Sequence, residues 1–519
     1  MCFISASAST SGSDAAAGDR RAVHWYRIAL AATVAIFFVQ AMRLWNFSID
    51  DAGISYRYAA NFAAGDGLVW NTVGPHVEGY SNFLWVVILA GGKWLGLDIE
   101  TFSKVLGVVL GAASIVLLGG ICRRLWFPKA FWWLPVLLVA ITPEWVAWSV
   151  SGLEIALAGT LILVMVLGLC GAPGRRLLLS VGAAGLTTIR PEGAVLAGAL
   201  LVIGWLGLRG RLDKNTRRDF GFSLAVLAAA GVGLVVFRLL YFGFPFPNTV
   251  YAKFHGQLPS LPQVLRWGLF ILPLLAASAF GLYLGKDRHR SHVAQGAFAL
   301  VLLQMIIVLP VHPVMYILHR YQIALFPLVL LSMPVTLDWV SRRKRWLGLC
   351  AALALTLWSM QGWPSVWEYH QKNLLMRREQ KRLAEMLQSL PKQPTIAMID
   401  AGRVPYWTGL PAYDVGGLCD RRVTHEGFAP EAAIERRAEV YVLSIRPMAD
   451  GRFFPYLTED QDVWVNPRFR EMYSLWRICP REPAAAAANW MYDYAVFLRT
   501  DWALENGFIK QLDSGASRP

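Results

Sequence analysis

Two adjacent carboxylates, Asp50 and Asp51, follow the first hydrophobic segment of the chain, in NFSIDDAGISYRYA. A single acidic side chain is enough to cap the helix that comes next, so the pair has two interpretations. Either one residue caps the helix, or the pair supplies a general base or the ligands of a divalent cation. Taken alone, the pair favours neither interpretation, and it does not require a metal.

Further polar side chains recur at the ends of later hydrophobic segments. Cations suited to a phosphate stand there beside carboxylates suited to a hydroxyl group or a cation. A lone Lys or Tyr at a membrane boundary usually snorkels or anchors, so each is weak evidence alone. Together they predict a substrate-binding site for a lipid phosphate on one side of a membrane. The candidates are Arg57, His76, Glu78, Tyr80, Asn82, Glu154, Arg190, Glu192, Asn248, Tyr251, Lys253, His319, Arg320 and Tyr321.

Arg190 has a further reason to be considered. The helix predicted before it, at 177–189, covers only about 20 Å, which is less than the ~30 Å hydrocarbon core of a bilayer. A charge held below the membrane surface suggests a functional site. The alternative is a local ion pair between Arg190 and Glu192 that stabilises a kink at Pro191.

The elements that must position these side chains are hydrophobic helices. The 519-residue chain is 55% hydrophobic and 16% charged, with a mean hydropathy of +0.42, whereas a soluble domain carries about a quarter charged residues. Many apolar stretches approach the ~20 residues that cross a bilayer. We predict a polytopic α-helical membrane protein with about eleven transmembrane helices, near 24–45, 102–121, 131–148, 154–171, 177–189, 193–208, 220–240, 266–285, 293–310, 321–340 and 345–362.

The basic residues predict how these helices are oriented. Seventeen lie in the alternate loops 123–129, 175–176, 209–218, 286–290 and 342–345, whereas the four short intervening loops hold only Arg190, Lys253 and Arg320. Because basic residues resist translocation, the N-terminus is expected inside and the C-terminus outside. The same pattern accounts for the net charge of +14, so nucleic acid is not expected as a partner.

The apolar stretch 83–97 is short, and counting it as a span would invert every later loop. We therefore predict a helix along the outer interface, with Trp85 and Trp94 in the headgroup zone. The first outer loop, 46–101, is then long and carries a helix at SYRYAANFAAGDG. The domain boundaries that follow are a cytoplasmic tail at 1–23, a transmembrane domain at 24–362 and a soluble domain at 363–519.

The soluble domain has the pattern of a small α/β domain outside the cytoplasm. Residues 364–390 are expected to form an amphipathic helix that leads out of the membrane, and PEAAIERRA a further helix. Strands are expected at TIAMID (395–400), LPAYDV (410–415), EVYVLS (439–444) and YAVFLR (494–499). Cys419 and Cys479 lie in this exported part, and the sequence leaves open whether they form a disulfide.

Several of these motifs, taken in order, resemble a family of bacterial GT-C glycosyltransferases. The family includes the mycobacterial terminal arabinofuranosyltransferase and a pilin arabinosyltransferase, and some members carry a flagellar motor-control label. The resemblance covers about residues 45–330, and DAGRVPYWTGLPAYDVGGLCD (400–420) extends it into the soluble domain. Its motifs are IDDAGISYRYAANFAAGDGLVWN, VEGYSNFLW, SGLE, RPEG, PNTVYAKF and HRYQIALFPLVLL.

The resemblance implies a GT-C fold in the bacterial inner membrane and a role in building the cell envelope. It implies a polyprenyl-phosphate sugar donor, with decaprenyl-phosphate arabinose expected, and a glycan or protein acceptor on the outer face. By motif position, the family's essential acid corresponds to Asp50 or Asp51, of which we favour Asp50. No cofactor is implied with certainty, and a divalent cation stays open. Some relatives form the glycosidic linkage with retention of the anomeric configuration. Two roles therefore stay open for this acid, that of a base and that of a stabiliser of positive charge at the anomeric carbon.

Two other classes of function are compatible with a polytopic membrane protein. A transporter or flippase of a lipid-linked sugar would need polar residues through the full membrane depth, whereas the candidate residues concentrate at one face. A non-catalytic membrane assembly factor would predict that Asp50→Asn leaves the phenotype intact.

Overall fold

The computed structural model describes residues 12–126, 129–208, 213–254, 259–284, 288–312, 316–448, 452–479 and 492–508. Residues 1–11 of the expected tail lie outside the described residues, as do Arg209, Arg211 and Lys286 of the basic loops. The orientation predicted from those loops stays a prediction. The described chain forms a helical part followed by an α/β domain.

The helical part contains sixteen α-helices among the described residues. They are α1 (Gly12–Arg43), α2 (Asp51–Ala64), α3 (Phe83–Trp94), α4 (Ile99–Trp126), α5 (Leu134–Ile141), α6 (Pro143–Val150), α7 (Ile155–Leu169), α8 (Arg175–Ile189), α9 (Gly193–Leu208), α10 (Lys214–Tyr241), α11 (Asn248–Lys253), α12 (Leu261–Leu284), α13 (Arg288–Ile307), α14 (Phe326–Val329), α15 (Met333–Arg343) and α16 (Arg345–Ser359). A 3₁₀ turn at Ile323–Leu325 precedes α14.

All eleven segments predicted to span the membrane are helical, but their lengths differ. Within the described ranges, five stretches are by themselves long and apolar enough to cross a bilayer: Val23–Arg43, α4, α10, α12 and Ile323–Arg343. A sixth is obtained if α6 and α7, which bend by 112°, count as one span. Segment 131–148 is not one helix, because Pro143 lacks an amide hydrogen and forces Thr142 into an extended conformation between α5 and α6.

The long first loop, residues 44–98, carries two helices of its own. The helix expected at SYRYAANFAAGDG is confirmed as α2, and Gly65 closes it in the left-handed conformation. The helix expected along the interface is α3, in which Trp94 is 78% exposed. The headgroup position predicted for Trp85 is wrong: its ring is fully buried, and its indole N–H donates to the Gly152 carbonyl at 3.0 Å.

The α/β domain begins with the expected long helix, α17 (Trp363–Gln388). Its strands are β1 (Ile396–Met398), β2 (Ala412–Asp414), β3 (Val440–Pro447), β4 (Phe453–Pro455), β5 (Tyr473–Cys479) and β6 (Asp493–Arg499), in the order β2-β1-β3-β6-β5 with β4 beside β3. β1 runs parallel to β2 and β3, and the remaining pairs are antiparallel. The helices are α18 (Arg403–Thr408), α19 (Arg421–Glu426), α20 (Pro430–Glu435), α21 (Thr458–Val465), α22 (Pro467–Met472) and α23 (Thr500–Glu505).

The four predicted strands are confirmed, and β4 and β5 were missed. β4 has only three residues, and β5 is an edge strand with a bulge between Leu475 and Arg477, so its exposed residues Leu475, Arg477 and Ile478 do not alternate regularly with buried ones. One sheet face, including Ile396 and Val440, joins the hydrophobic core of the helices. The opposite face has a separate core around Tyr441, Leu443 and Phe497. This face of the sheet therefore belongs to one continuous core that includes residues of α17 and α18 as well as residues of the helical part.

The disulfide considered for Cys419 and Cys479 is not formed, since both thiols are free. Cys419 is buried against Gly79, where the absence of a side chain leaves room for its sulfur. The Cys479 thiol instead lies 4.0 Å from the Met386 sulfur on α17. The two cysteines thus pack against different elements.

Candidate active site

An open cleft of about 330 Å³ lies where the long first loop meets α7, α11 and the segment before the 3₁₀ turn. Its polar lining comes from several of the motifs that the sequence singled out. Carboxylates, cations, amides and hydroxyls therefore share one cavity. The lining residues are Asp51, Ile54, Ser55, Gly79, Tyr80, Ser81, Asn82, Leu153, Glu154, Thr249, Lys253, Arg320 and Leu418.

Asp51 and Arg320 form an ion pair in the lining. Asp51 is the first residue of α2, where the helix dipole favours a negative charge, and Nη1 of Arg320 donates to its Oδ2 at 2.7 Å. Burial opposes ionisation of Asp51, but Arg320 and then Lys253 outweigh it and lower its pKa below the ordinary value. Asp51 is therefore an anion at neutral pH.

Three buried polar atoms of the lining residues have no hydrogen-bond partner in the described part of the chain. They are the Tyr80 hydroxyl, the Thr249 hydroxyl and Nε of Arg320. A buried polar group left unpaired is costly, which points to a ligand that pairs with it. Burial raises the pKa of Tyr80 well above its usual value, so this hydroxyl keeps its proton and can donate. With Lys253 also lining the cleft, the donors suit an anion.

The other carboxylate of the lining, Glu154, belongs to a buried network. Its Oε1 accepts from Nη1 of Arg190 at 2.9 Å, and its Oε2 accepts from Nδ2 of Asn82 at 2.8 Å. Asn82 and Ser55 are in turn hydrogen-bonded to each other, at 3.1 and 3.2 Å. The network presents a carboxylate, an amide and a hydroxyl to the cleft, groups that pair with the hydroxyls of a sugar.

Arg190 lies behind Glu154 and does not line the cleft, so direct contact with a phosphate is not supported. Its Nε donates to Glu192 at 2.5 Å, and Gln304 contacts the same Glu192 oxygen at 3.4 Å. The ring of Tyr321 lies 5.5 Å from its guanidinium carbon. The local Arg190–Glu192 pair is therefore present, and it is extended to Glu154 rather than standing alone.

Our preference for Asp50 over Asp51 is not supported by the geometry. Oδ1 of Asp50 accepts from the Arg403 backbone N–H and from Gln380, each at 3.0 Å, and Oδ2 accepts from the Gly402 N–H at 3.1 Å. Asp50 stands at the N-cap position of α2, but its side chain makes no capping hydrogen bond. It binds the α/β domain, whereas Asp51 faces the cleft.

Three further candidates hold elements together instead of lining the cleft. Arg57 donates to the carbonyls of Trp70 at 2.6 Å and Leu410 at 2.8 Å. Glu78 forms a buried two-point ion pair with Arg238 of α10, at 2.8 and 3.0 Å. Nδ2 of Asn248 donates to carbonyls of the α/β domain, among them that of residue 417 at 2.9 Å. These donors and acceptors are already occupied.

The last three candidates lie among aromatic rings, also away from the lining. His76 is exposed and stacks on Tyr241 with 4.4 Å between ring centroids. Tyr251 packs against His425 of α19 at 4.8 Å. His319 lies 5.4 Å from Phe270, and burial lowers its pKa to about 4, so it is neutral and unsuited to binding a phosphate by charge.

Sequence reasoning missed the polar lining residues Ser55 and Thr249, and the lining positions Ile54, Gly79, Leu153 and Leu418. Helical spacing would have found the first two, because Ser55 follows Asp51 by one turn of α2 and Thr249 precedes Lys253 by one turn of α11. Leu418 had no such signal, since it reaches the cleft only through the docking of the α/β domain. Within the described residues, no group of three or more His, Cys, Asp or Glu side chains could hold a metal ion. The use of a divalent cation, which the sequence left open, is not tested by this arrangement.

Comparison with known proteins defines the class of fold. Two crystal structures of ArnT from Cupriavidus metallidurans, one bound to undecaprenyl phosphate and one in the apo state, superpose with TM-scores of 0.56 and 0.55 at 14% and 15% identity. The match covers 91% and 92% of this chain and 98% of each ArnT chain. The chain is a multi-pass helical membrane protein of the GT-C fold with a C-terminal α/β domain.

The α/β domain also has a match of its own. Residues 368–503 match a family model described as a domain of unknown function, DUF8728. No curated protein matches the chain. The structural match thus defines the fold, while the family model that the soluble part matches describes no activity.

Proposed function

We propose that the protein is a glycosyltransferase of the bacterial inner membrane that transfers a sugar from a polyprenyl-phosphate donor to an acceptor on the outer face. One observation carries this proposal: the Asp51–Arg320 ion pair shares a cleft with Lys253, Tyr80 and Thr249. The hydroxyls of Tyr80 and Thr249 are buried and have no hydrogen-bond partner among the described residues. The shared fold with ArnT, which was crystallised with undecaprenyl phosphate, supports a lipid phosphate as the ligand class.

The phosphate of the donor binds the cationic part of the cleft. Lys253 and Arg320 supply positive charge, and the Tyr80 and Thr249 hydroxyls supply neutral donors. Such donors stabilise the charge that develops on a leaving phosphate. The lipid monophosphate leaves as an anion, so no nucleotide is needed outside the cytoplasm.

Asp51 serves as the base in the transfer step. The acceptor hydroxyl oxygen forms a bond to the anomeric carbon while the bond from that carbon to the phosphate oxygen breaks. The hydroxyl proton passes to Asp51, and the bonding electron pair leaves with the polyprenyl phosphate. Arg320 holds the Asp51 carboxylate in the ionised form that accepts the proton.

The wall formed by Ser55, Asn82 and Glu154 binds the sugar. Each of these side chains has a defined neighbour that fixes its orientation, as Arg190 does for Glu154. Fixed acceptors and donors are what discrimination among sugar hydroxyls requires, because a missing hydroxyl leaves a buried group unpaired. D-arabinofuranose carried by decaprenyl phosphate is the donor that the sequence resemblance favours, with a cell-envelope glycan or protein as acceptor.

The test is transfer by purified protein in detergent or liposomes. Radiolabelled decaprenyl-phosphate arabinose, and other polyprenyl-phosphate sugars in parallel, would be offered with envelope glycans and with protein acceptors. Wild-type protein should form labelled product, and Asp51→Asn should lower kcat by ~10²-fold or more. A wild-type protein that releases polyprenyl phosphate from none of these donors would contradict the proposal.

A matched control separates loss of chemistry from loss of fold. Glu78→Gln removes a buried carboxylate of the same loop that lies outside the cleft and is paired with Arg238. Its effect should appear in thermal stability, with kcat per folded molecule within about threefold of wild type. Equal loss of transfer in Glu78→Gln and Asp51→Asn would remove the support for Asp51.

A further inference from the structure

The two neighbouring carboxylates at the start of α2 serve different parts of the molecule. Asp51 lines the cleft and pairs with Arg320, whereas Asp50 accepts backbone N–H groups of Gly402 and Arg403 in the α/β domain. The two residues share one rigid peptide unit. A displacement of the Asp50 backbone therefore moves the first turn of α2, which carries Asp51.

A closed ring of hydrogen bonds fixes Asp50. Gln380 of α17 donates to Asp50 through Nε2 at 3.0 Å and accepts from Nη1 of Arg403 through Oε1 at 2.8 Å. Arg403 also donates to the Ser48 carbonyl at 2.8 Å. Gln380 and Arg403 are buried. Buried polar networks with satisfied partners favour one geometry, because every alternative leaves groups unpaired.

The two backbones approach so closely that glycine is required on both sides. A Cβ placed on Gly402 would lie 2.5 Å from Oδ2 of Asp50, and one placed on Gly53 would lie 2.5 Å from the Arg403 nitrogen. A side chain at either position would push the 400–403 loop away from α2. The contact is thus sensitive to a single methyl group.

We infer that the α/β domain positions the active site: its 400–403 loop holds Asp50, and Asp50 in turn fixes Asp51 relative to Arg320. Asp50 is accordingly a positioning residue and not a catalytic one. This inference rests on the proposed function and gives a role to the segment 368–503, whose family model carries none. The domain completes the cleft through the backbone of α2, besides contributing Leu418 to the lining.

The first test compares two variants that weaken the same domain contact at different places. Gly402→Ala displaces the loop at Asp50. Asn71→Ala instead removes the hydrogen bonds of Asn71 with the Ala412 backbone, at 2.8 and 3.1 Å, beyond the far end of α2. Gly402→Ala should lower kcat by ~10- to 100-fold with the donor KM within about threefold, since a small misplacement of a reacting group costs rate and not affinity. Asn71→Ala should keep kcat within about twofold.

The second test covers the case in which Gly402→Ala does not fold. Asp50→Asn keeps the size of the side chain and should lower kcat by ~10- to 100-fold with an unchanged donor KM. In an Asp51→Asn background, Asp50→Asn should lower kcat by less than about twofold, because a residue that acts through Asp51 has no catalytic carboxylate left to position. Full-length protein in detergent is used throughout, with thermal melting as the check on folding.

The outcomes are distinct. An unchanged kcat in Asp50→Asn would overturn the inference, as would equal loss of kcat in Gly402→Ala and Asn71→Ala. If Asp50→Asn lowers kcat by the same factor in wild type and in the Asp51→Asn background, Asp50 has a general structural role. This result would also overturn the inference. If wild-type protein transfers no sugar from any polyprenyl phosphate, it is the proposed function that fails, and the comparison of variants is not reached.

Discussion

Nη1 of Arg320 lies 2.7 Å from Oδ2 of Asp51, although 269 residues separate them in the chain. The pair joins the start of α2 in the long first loop to the segment that precedes the 3₁₀ turn. The buried Nε of Arg320 has no partner in the described residues. Arg320 can therefore hold the base and bind the leaving phosphate at the same time.

Arg320→Gln should lower kcat/KM for the polyprenyl donor by ~10²- to 10³-fold, the usual effect of removing a donor to a developing anion. The buried Asp51 would also lose the partner that keeps it ionised. Steady-state transfer assays measure the effect. Arg238→Gln is the matched control, since it breaks the buried pair with Glu78 outside the cleft and should lower the melting temperature while sparing kcat per folded molecule. Similar losses in both variants would contradict the role of Arg320.

Tyr80→Phe should weaken polyprenyl-phosphate binding and leave the stability of the protein unchanged or higher. The Tyr80 hydroxyl is buried and has no partner in the described part of the chain, so its removal relieves an unpaired group. A bound phosphate, in contrast, loses a donor worth about 1.5–3 kcal/mol, or ~10- to 100-fold in Kd. Binding titrations and thermal melts measure the two effects.

Tyr58→Phe provides the contrast for that variant. The Tyr58 hydroxyl donates to the Val77 carbonyl at 2.6 Å and accepts from the Gly79 N–H at 3.0 Å, so its loss should lower stability. Thr249→Val should behave as Tyr80→Phe does, because the Thr249 hydroxyl is likewise buried and has no partner among the residues that the structure describes. A destabilised Tyr80→Phe protein with unchanged phosphate affinity would be the opposite of what we expect.

The pH dependence of kcat should carry an acid limb that belongs to Asp50. Burial and then the neighbouring Asp400 raise the pKa of Asp50 to about 6, against the effect of Arg403, while Asp51 stays ionised because its pKa is lowered. As the pH falls through about 6, Asp50 gains a proton and accepts hydrogen bonds from Gln380 and the 400–403 loop less well, so kcat falls. A pH–rate profile of wild type against Asp50→Asn measures this, and the variant should lack the limb. An identical limb in both proteins would assign it to another group.

The sequence predicts which residues line the cleft better than it predicts the role of each residue. Asp51, Glu154, Lys253 and Arg320 all stand in motifs at the ends of hydrophobic segments, so their gathering at one place follows from the alternation of helices and loops. The choice between Asp50 and Asp51 does not follow. Consecutive residues at a helix start point in directions about 100° apart, and which one meets the cleft depends on a loop some 350 residues later, at Gly402 and Arg403.

Glu78 shows a second limit of the sequence. Because Glu78 stands in PHVEGYSN beside Tyr80 and Asn82, the sequence predicts the same substrate-binding role for it as for those two cleft residues. In the structure it pairs with Arg238, which the sequence places inside a hydrophobic helix with no sign of a partner. Pairing between elements far apart in the chain cannot be deduced from local pattern, because it depends on how the helices pack.

Chelation should leave transfer unchanged. Both carboxylates of the cleft lining already have an arginine partner, Asp51 with Arg320 and Glu154 with Arg190, so a divalent cation would have to share each carboxylate with a positively charged guanidinium. Transfer assays with EDTA, followed by readdition of Mg²⁺, Mn²⁺ or Ca²⁺, test this. A loss of activity that one of these ions restores would show that a cation takes part, and Asp51 would then be assigned to it.

The anomeric configuration of the product tests the role of Asp51 as a base. In a single displacement, the acceptor oxygen attacks from the side opposite the phosphate, so configuration at the anomeric carbon is inverted. Retention by double displacement needs a carboxylate that bonds to that carbon and a separate acid–base group. Glu154, the other carboxylate of the lining, is held by Arg190 and Asn82 on its two oxygens, which suits sugar binding better than nucleophilic attack. We therefore expect inversion, measured by NMR of the product formed from a donor of known configuration.

Retention would show that Asp51 is not simply a base. It would then act either as a nucleophile or as a stabiliser of the positive charge at the anomeric carbon. Trapping with a slow 2-fluoro sugar donor would distinguish these two roles, because only a nucleophile leaves a sugar covalently attached to Asp51.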